Sequence, residues 1–288
     1  MSFIEKLFSP GHSIAWDYIS SFSELHEILP HIHDFIGSCQ KTRLVEIADG
    51  VWASPTASIA RTAVIMPPCL IGEGAEIRHS AYIRGNAVIG DNAVIGNSCE
   101  IKNAIISDNA EIPHFNYVGD SILGYKAHMG AGAITSNVRS DKKPIVLHIN
   151  GKDLHTKLHK VGAFIGDRAE IGCNAVLNPG TIIGKDSIIY PLSSVRGYVP
   201  ERMIYKANGN CVQREEKYMG WKEDVLEKIL SLKKKEFTLD EVYQFEDELQ
   251  RLYSNNHNVQ AKIRQQLQML RDDGILEFIA PGRYRLTR

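Results

Sequence analysis

The chain has 288 residues, 43% of them hydrophobic, which is enough for one large core or two domains. Its net charge is −1 and its pI about 6.8, so bulk charge calls for no polyanionic partner, and a nucleic-acid surface has to come from local asymmetry. Five scattered cysteines, Cys39, Cys69, Cys99, Cys173 and Cys211, show no CxxC or zinc spacing and read as reduced thiols. The opening MSFIEKLFSPGH lacks a basic region followed by an apolar stretch, and no apolar run approaches the ~20 residues of a membrane span. The expectation is a soluble, cytoplasmic protein with no membrane partner.

Residues 1–50 read as an N-terminal helical cap. SELHEILPHIHDFIGSC (23–39) places Leu25, Ile28, Leu29, Ile32, Phe35 and Ile36 on one helical face, and Pro30 kinks or divides that helix. His26, His31 and His33 lie nearby without metal-ligand spacing and read as solvated helix histidines, so no metal is expected.

From Val51 the character changes. Ile59, Ile65, Ile71, Ile77, Ile83, Ile89, Ile95 and Ile101 recur every six residues, through units such as IGEGAE, IRGNAV and IGDNAV. Ile165, Ile171, Leu177, Ile183, Ile189 and Val195 form a second phased run. Hexapeptide periodicity is the signature of a parallel β-helix: each unit is a short strand and a tight turn with its aliphatic residue inward. Gly, Asn and Asp at the corners supply positive φ at low cost. The body is expected over 51–206, with a polar, basic loop insertion at about 136–162. The six-residue count slips between Ile101 and Ile112, which are eleven residues apart, and this reading sets the deformation beside His114 in EIPHFNYVGDSILG.

After Lys206 the period vanishes, and 207–220 read as a linker. The last stretch, 221–288, is helical and then extended. WKEDVLEKILSLKKK carries Val225, Ile229 and Leu232 on one face; FTLDEVYQFEDELQRLY begins with Thr238 and Glu241 as a capping box. NHNVQAKIRQQLQMLRDDG turns Val259, Ile263, Leu267 and Leu270 inward and ends at Gly274. ILEFIAPGRYRLTR closes as a two-stranded hairpin. The layout is that of a winged helix-turn-helix, so the fold class is mainly β with a small α+β domain.

The stretch 100–137, most specifically PHFNYVGD and MGAGAITSN, resembles the acetyltransferase half of the bifunctional N-acetylglucosamine-1-phosphate uridyltransferase/glucosamine-1-phosphate acetyltransferase family. The likeness covers roughly Val51 to Lys206. It implies a left-handed β-helix, a homotrimer, acetyl-CoA as donor, and an amino-sugar phosphate or a nucleotide sugar of the UDP-N-acetylglucosamine kind as ligand. By position, His114 matches the catalytic base, and Glu100 an acidic residue that orients its ring. Chemistry agrees on the base, because an attacking amine must lose a proton and imidazole is the natural acceptor near neutral pH. Arg84, Lys102 and Tyr117 match the sugar-phosphate grip; Arg84 and Lys102, eighteen residues apart, are expected to stack on one face. Asn137 matches a substrate-contacting Asn, Ala131 the oxyanion and coenzyme region, and Lys143 falls near a family Lys. The sequence departs from the family at His128 (an Asn there), Val138 (Tyr), Cys173 (a coenzyme-contacting Ser) and Pro191 (Ala). These departures bear on the coenzyme more than on the sugar phosphate. No Gly-rich nucleotidyltransferase loop precedes the β-helix, so no uridyltransferase domain is expected.

NNHNVQAKIRQQLQMLRDDGILEFIAPGRYRL (255–286) resembles the C-terminal winged-helix domain of Dam-replacing and methyl-directed restriction endonucleases, which implies double-stranded DNA as partner. Lys262, Arg264, Gln265 and Gln268 on the third helix, with Arg283 and Arg285 in the wing, are the candidate DNA contacts. No PD…(D/E)xK nuclease arrangement accompanies them. Three readings follow: an acyltransferase-like body carrying a DNA-binding domain, a non-catalytic sugar-phosphate-sensing regulator, and a trimeric scaffold.

Overall fold

The computed structural model describes residues 2–214, 221–253, 256 and 258–287, and the chain divides into two units, Met1–Arg214 and Glu215–Arg288. In the first unit short strands stack in parallel. Ser58 pairs with Glu76, Val64 with Tyr82 and Cys69 with Ala87, each eighteen residues on, so one coil is three strands and the body has three sides. The phased aliphatic residues fill its interior. Ile71, Ile77, Ile83, Ile89, Ile95 and Ile101, and later Ile165, Ile171, Leu177, Ile183, Ile189 and Val195, form one buried column with small alanines between them. Each buried Ile is worth roughly 1.5–3 kcal/mol, so this column sets the register of the coils. Asn86, Asn92, Asn109 and Asn174 take corner positions at positive φ, which Asn tolerates better than most residues.

Between Ile101 and Met129 the six-residue count breaks twice, and neither break is beside His114. The buried column runs Ile101, Ile106, Ile112, Val118, Leu123, Met129, with five-residue steps only at Ile101–Ile106 and Val118–Leu123. Each short step merges two sides into one seven-residue strand, Glu100–Ile106 and Tyr117–Leu123. The middle residues of these strands, Asn103 and Asp120, sit at φ 46° and 50°. The interval Ile112–Val118 that holds His114 keeps its six residues.

The N-terminal helices lie along a side of the β-helix instead of closing its end. Leu70, Val88, Ile105, Ile122, Phe164 and Ile182 are buried in one cluster with Ile4, Leu7, Ile19, Leu25, Ile28, Ile32 and Ile36. The end is met by the strand Val45–Ala48, antiparallel to Val51–Ala53. Pro30 lies in a 3₁₀ turn, Leu29–His31, between the helices Leu25–Ile28 and Ile32–Ser38. Between the coil strands Ile134–Thr135 and Ala163–Ile165 the chain makes an excursion that contains an antiparallel hairpin, Val146–Ile149 with Lys152–His155. Its Ile145 and Leu147, with Val161, are buried in the same cluster as the helices, so the excursion is packed on the body. At the far end Met203–Tyr205 pairs with Cys211–Gln213, which places a closing hairpin inside the stretch read as a linker; residues 215–220 lie outside the described residues.

The second unit has helices Trp221–Ser231, Leu239–Tyr243, Glu246–Leu252 and Val259–Asp272. Its antiparallel sheet has three strands, in the order Glu236–Thr238, Arg283–Leu286, Leu276–Ala280, one more than the two-stranded wing expected. Thr238 and Glu241 form the capping box, and Gly274 at φ 72° ends the long helix. Val225, Ile229, Phe237, Val242, Leu249, Val259, Ile263, Leu267 and Leu270 form its core. No helix among the described residues is long and apolar enough to cross a membrane.

Candidate functional site

His114 ends the strand Glu111–His114 and stands exposed at a two-residue corner, Phe115–Asn116, that leads into Tyr117–Leu123. The corner is held from beneath. Asn116 is buried: its Oδ1 accepts from the His114 backbone N–H at 3.0 Å, and its Nδ2 donates to Gly130 O at 2.8 Å and Ala133 O at 3.0 Å. Asn116 therefore ties the imidazole-bearing corner to the next coil. Sequence reading passed over it because an Asn at a turn usually serves its own loop.

Across the corner from His114 lies a polar group built on the two long strands. Asp120, 5% exposed, accepts from Asn103 Nδ2 at 2.9 Å and from Asn137 Nδ2, and Lys102 Nζ lies 3.5 Å from its Oδ2. Asn137 also donates to the Tyr117 hydroxyl at 3.2 Å. Burial, with the charges of Asp120 and Glu100 adding to it, pushes the Tyr117 phenol up, so this hydroxyl is a neutral donor and acceptor at physiological pH. Lys102, Tyr117 and Asn137 are thus brought together, and the residue that gathers them is Asp120, which sequence reading did not single out. The two seven-residue strands are the reason: their middle residues, Asn103 and Asp120, lie side by side, with Lys102 next to Asn103 in the chain.

Arg84 and Glu100 pair with each other. Arg84 Nη1 donates to Glu100 Oε1 at 2.7 Å, and this bond raises the guanidinium pKa further. Glu100 pairs in register with Tyr82 and Tyr117 on the strand side, and its hydrogen bond goes to Arg84, not to His114.

Above His114 runs a ladder of backbone bonds. Gly132 N–H donates to His114 O, Asn174 N–H to Ala131 O and Leu192 N–H to Cys173 O, at 3.0, 2.9 and 2.9 Å. His114, Ala131, Cys173 and Pro191 accordingly occupy one corner column on successive coils, which spaces them by ~4.8 Å per coil. Cys173 and Pro191 are exposed and Ala131 half-buried. Pro191 brings no backbone N–H to this column.

His128 lies on the same side as the strand Glu111–His114, paired with Glu111, its Nδ1 3.1 Å from Glu170 Oε2, and this hydrogen bond raises the imidazole pKa. Lys143 belongs to the excursion. Among the described residues no group of three His, Cys, Asp or Glu side chains is arranged to hold a metal ion.

In the second unit the long helix Val259–Asp272 exposes Arg264, Gln265 and Gln268, with Lys262 half-buried and donating to Gln265 Oε1 at 2.8 Å. Arg264 donates to the Tyr243 hydroxyl. Arg283 is exposed in the wing, whereas Arg285 is spanned by two carboxylates, Glu236 at 2.8 Å and Glu277 at 3.2 Å, on the flanking strands.

Three stretches of the chain match known families: residues 65–161 the GMPPB C-terminal domain, residues 162–197 the bacterial transferase hexapeptide (six repeats), and residues 217–286 the Dam-replacing HTH domain. The body resembles a hexapeptide-repeat acyltransferase β-helix, and the C-terminal unit resembles a Dam-replacing winged helix. Among curated relatives, the bifunctional protein GlmU of Methanococcus maripaludis is 44% identical over 90 residues, 31% of this chain and 22% of the relative. The bifunctional sugar-1-phosphate nucleotidylyltransferase/acetyltransferase of Sulfurisphaera tokodaii is 38% identical over 92 residues, 32% of this chain and 23% of the relative. The chain thus spans less than a quarter of the length of these relatives. Among solved structures, GDP-perosamine N-acetyl transferase from Caulobacter crescentus, in complex with CoA and GDP-perosamine, aligns at 22% identity over 52% of this chain and 53% of that one. Its TM-score of 0.31 is too low to bear on the site.

Proposed function

We propose that the β-helix is an acyltransferase acting on the amine of an amino-sugar phosphate or nucleotide sugar, with a coenzyme A thioester as donor. The observation that carries this reading is the corner at Phe115–Asn116. On one side of it stands an exposed imidazole at the foot of a column of small residues. On the other stands a cluster of Lys102, Tyr117, Asn137 and Asp120.

The column suits an elongated donor, because Ala131, Cys173 and Pro191 offer short side chains in line with His114. The missing N–H at Pro191 removes one donor from it, so the donor is held by fewer hydrogen bonds there. A thioester supplies an acyl carbon already activated toward amines. His114 accepts the proton from the attacking amine as the new C–N bond forms. It then returns that proton to the sulfur as the C–S bond breaks, leaving an amide and a free thiol. The Ala131 region lies one coil above His114, where a backbone N–H can polarise the carbonyl oxygen. Lys102 and Arg84 balance the charge of a sugar phosphate, while Tyr117 and Asn137 fix its hydroxyls. The relative from Sulfurisphaera tokodaii is named as a bifunctional sugar-1-phosphate nucleotidylyltransferase/acetyltransferase, which supports the substrate class. Mass spectrometry of the sugar after incubation with acetyl-CoA and glucosamine-1-phosphate or a UDP-amino sugar tests the reading. An acylated product supports it; its absence with both acceptors contradicts it.

A second role, DNA binding by the winged helix, is favoured by the exposed Arg264, Gln265 and Gln268 on one helix face and the exposed Arg283 on the wing. Gln and Arg are the side chains that pair bidentately with adenine and guanine in the major groove. On this reading the body assembles as a homotrimer, as hexapeptide β-helices of this type do, and presents more than one winged helix to DNA.

A further inference from the structure

The excursion between the coils carries a feature that the acyl-transfer corner does not use. Its residues 136–162 hold six Lys and Arg against two Asp, in a chain whose net charge is −1. They form an open pocket of about 430 Å³ lined by Arg139, Lys143, Pro144, Ile145, Val146, His155 and Lys157. Its wall is cationic, with no carboxylate in it, and its floor of Pro144, Ile145 and Val146 is apolar.

The cavity is built rather than incidental. Ile145 N–H donates to Leu158 O at 2.8 Å, Thr156 Oγ1 donates to Ile145 O at 2.7 Å, and Leu158 N–H donates to Thr156 Oγ1 at 3.0 Å, so the two walls are stitched together. Asp141 takes Arg139 by two bonds, at 2.8 and 2.7 Å, and also accepts from the Lys143 N–H at 3.3 Å. Arg139 is therefore neutralised in place. Lys143 and Lys157 have no ion pair among the described residues, and Lys157 is held at φ 60°, a conformation uncommon for Lys. Two ammonium groups without an ion pair among the described residues and an imidazole, lining one pocket with Pro144, Ile145 and Val146, match an anion that is joined to a flat, weakly polar body.

We infer that this cavity binds a nucleoside diphosphate: Lys143 and Lys157 meet the diphosphate, and Pro144, Ile145 and Val146 take the base and ribose. A bare phosphate has no use for such a floor. The excursion leaves the coil at Asn137, a member of the sugar-phosphate cluster, and reaches Arg139 two residues later. This deepens the proposed function, on whose reading of the cluster it rests for one point: an acceptor that continues from a sugar into a nucleoside diphosphate fits better than a sugar monophosphate. The same chemistry is present in the 3′-phospho-ADP part of coenzyme A.

Isothermal titration of the full chain, without acyl donor or acceptor, tests the assignment with UDP, 3′-phosphoadenosine 5′-diphosphate and inorganic phosphate as probes. The expected result is that at least one of the two nucleotides binds wild type more tightly than inorganic phosphate does. The double variant Lys143→Gln, Lys157→Gln should then lose tenfold or more in its affinity. Tighter binding of UDP makes the cavity an acceptor site, and tighter binding of the adenosine probe makes it a donor site. Equal binding of inorganic phosphate and both nucleotides, no nucleotide binding, or binding unchanged in the double variant overturns the proposal. Circular dichroism of the variant guards against misfolding, and Ile145, whose side chain packs beneath the cavity, is left intact. The titration contains no thioester, so its failure and a failure of acyl transfer are separate results.

Discussion

Arg84 Nη1 lies 2.7 Å from Glu100 Oε1, sixteen residues on and in the next coil. The carboxylate that family position assigned to His114 therefore makes its hydrogen bond to Arg84. Replacing Glu100 with Gln frees an exposed guanidinium without touching the imidazole. The pair is solvent-exposed, so the expected effect is a fall in KM for the sugar phosphate of about fivefold or less, as Arg84 loses its competing carboxylate, with kcat and its pH profile unchanged. A fall in kcat with a shifted pH profile would return Glu100 to His114.

Asp120 gathers Asn103, Asn137 and Lys102 at a nearly buried carboxylate. Asp120→Ala leaves two amide donors and an ammonium group without their acceptor, a loss of about 1–3 kcal/mol in urea unfolding at unchanged slope. It should also raise KM for the acceptor, because Asn137 and Lys102 lose their anchor. A variant with wild-type stability and KM would show that the cluster is incidental.

Packing between coils leaves no room at Gly96. A Cβ there would stand 1.6 Å from Pro113 O and 2.1 Å from its carbonyl carbon, both backbone atoms of the next coil and adjacent to His114. Gly96→Ala should cost at least about 3 kcal/mol or prevent folding. Gly37→Ala, in the helix Ile32–Ser38 with nothing within 4 Å of the added carbon, should instead stabilise by about 0.5–1 kcal/mol. Thermal melts of the two variants decide the point; similar melting temperatures would contradict the stacking of these coils.

The wing separates two arginines that look alike in sequence. Arg285 is spanned by Glu236 and Glu277, while Arg283 is exposed. Gel shifts on mixed-sequence duplex should weaken uniformly in Arg283→Ala, with a salt slope reduced by about one, and should be unchanged in Arg285→Ala. The reverse pattern would give the phosphate contact to Arg285, with its ion pairs to Glu236 and Glu277 opened by DNA. No shift by wild type at low salt would remove DNA from the account.

The β-helix was legible because its physics is local and repeated. Eight isoleucines in one phase leave one way to bury them, and their register fixes the stack. The capping box at Thr238 and the stop at Gly274 were legible for the same reason, since each is a short-range rule. The two five-residue steps were not, because the interval from Ile101 to Ile112 shows only that one residue is missing, and two strands can absorb it. Pairing with the next coil decides the place, and that contact is seventeen residues away. Asn116 and Asp120 escaped notice for a related reason: their roles depend on Gly130, Ala133, Asn103 and Asn137, which share no local pattern with them. Glu100 was assigned by family position, while its hydrogen bond to Arg84 spans sixteen residues and shows in no local pattern.

The central claim is that His114 serves as a base for acyl transfer at this corner. The most direct measurement is the rate of coenzyme thiol release from acetyl-CoA with glucosamine-1-phosphate or a UDP-amino sugar, for wild type against His114→Ala and His114→Gln. Loss of a positioned general base should lower kcat by about 10²–10⁴-fold, with the donor KM little changed. Thiol release that is acceptor-dependent in wild type and abolished in both variants is the predicted result. Equal release from all three proteins, or release indifferent to the acceptor, would contradict it.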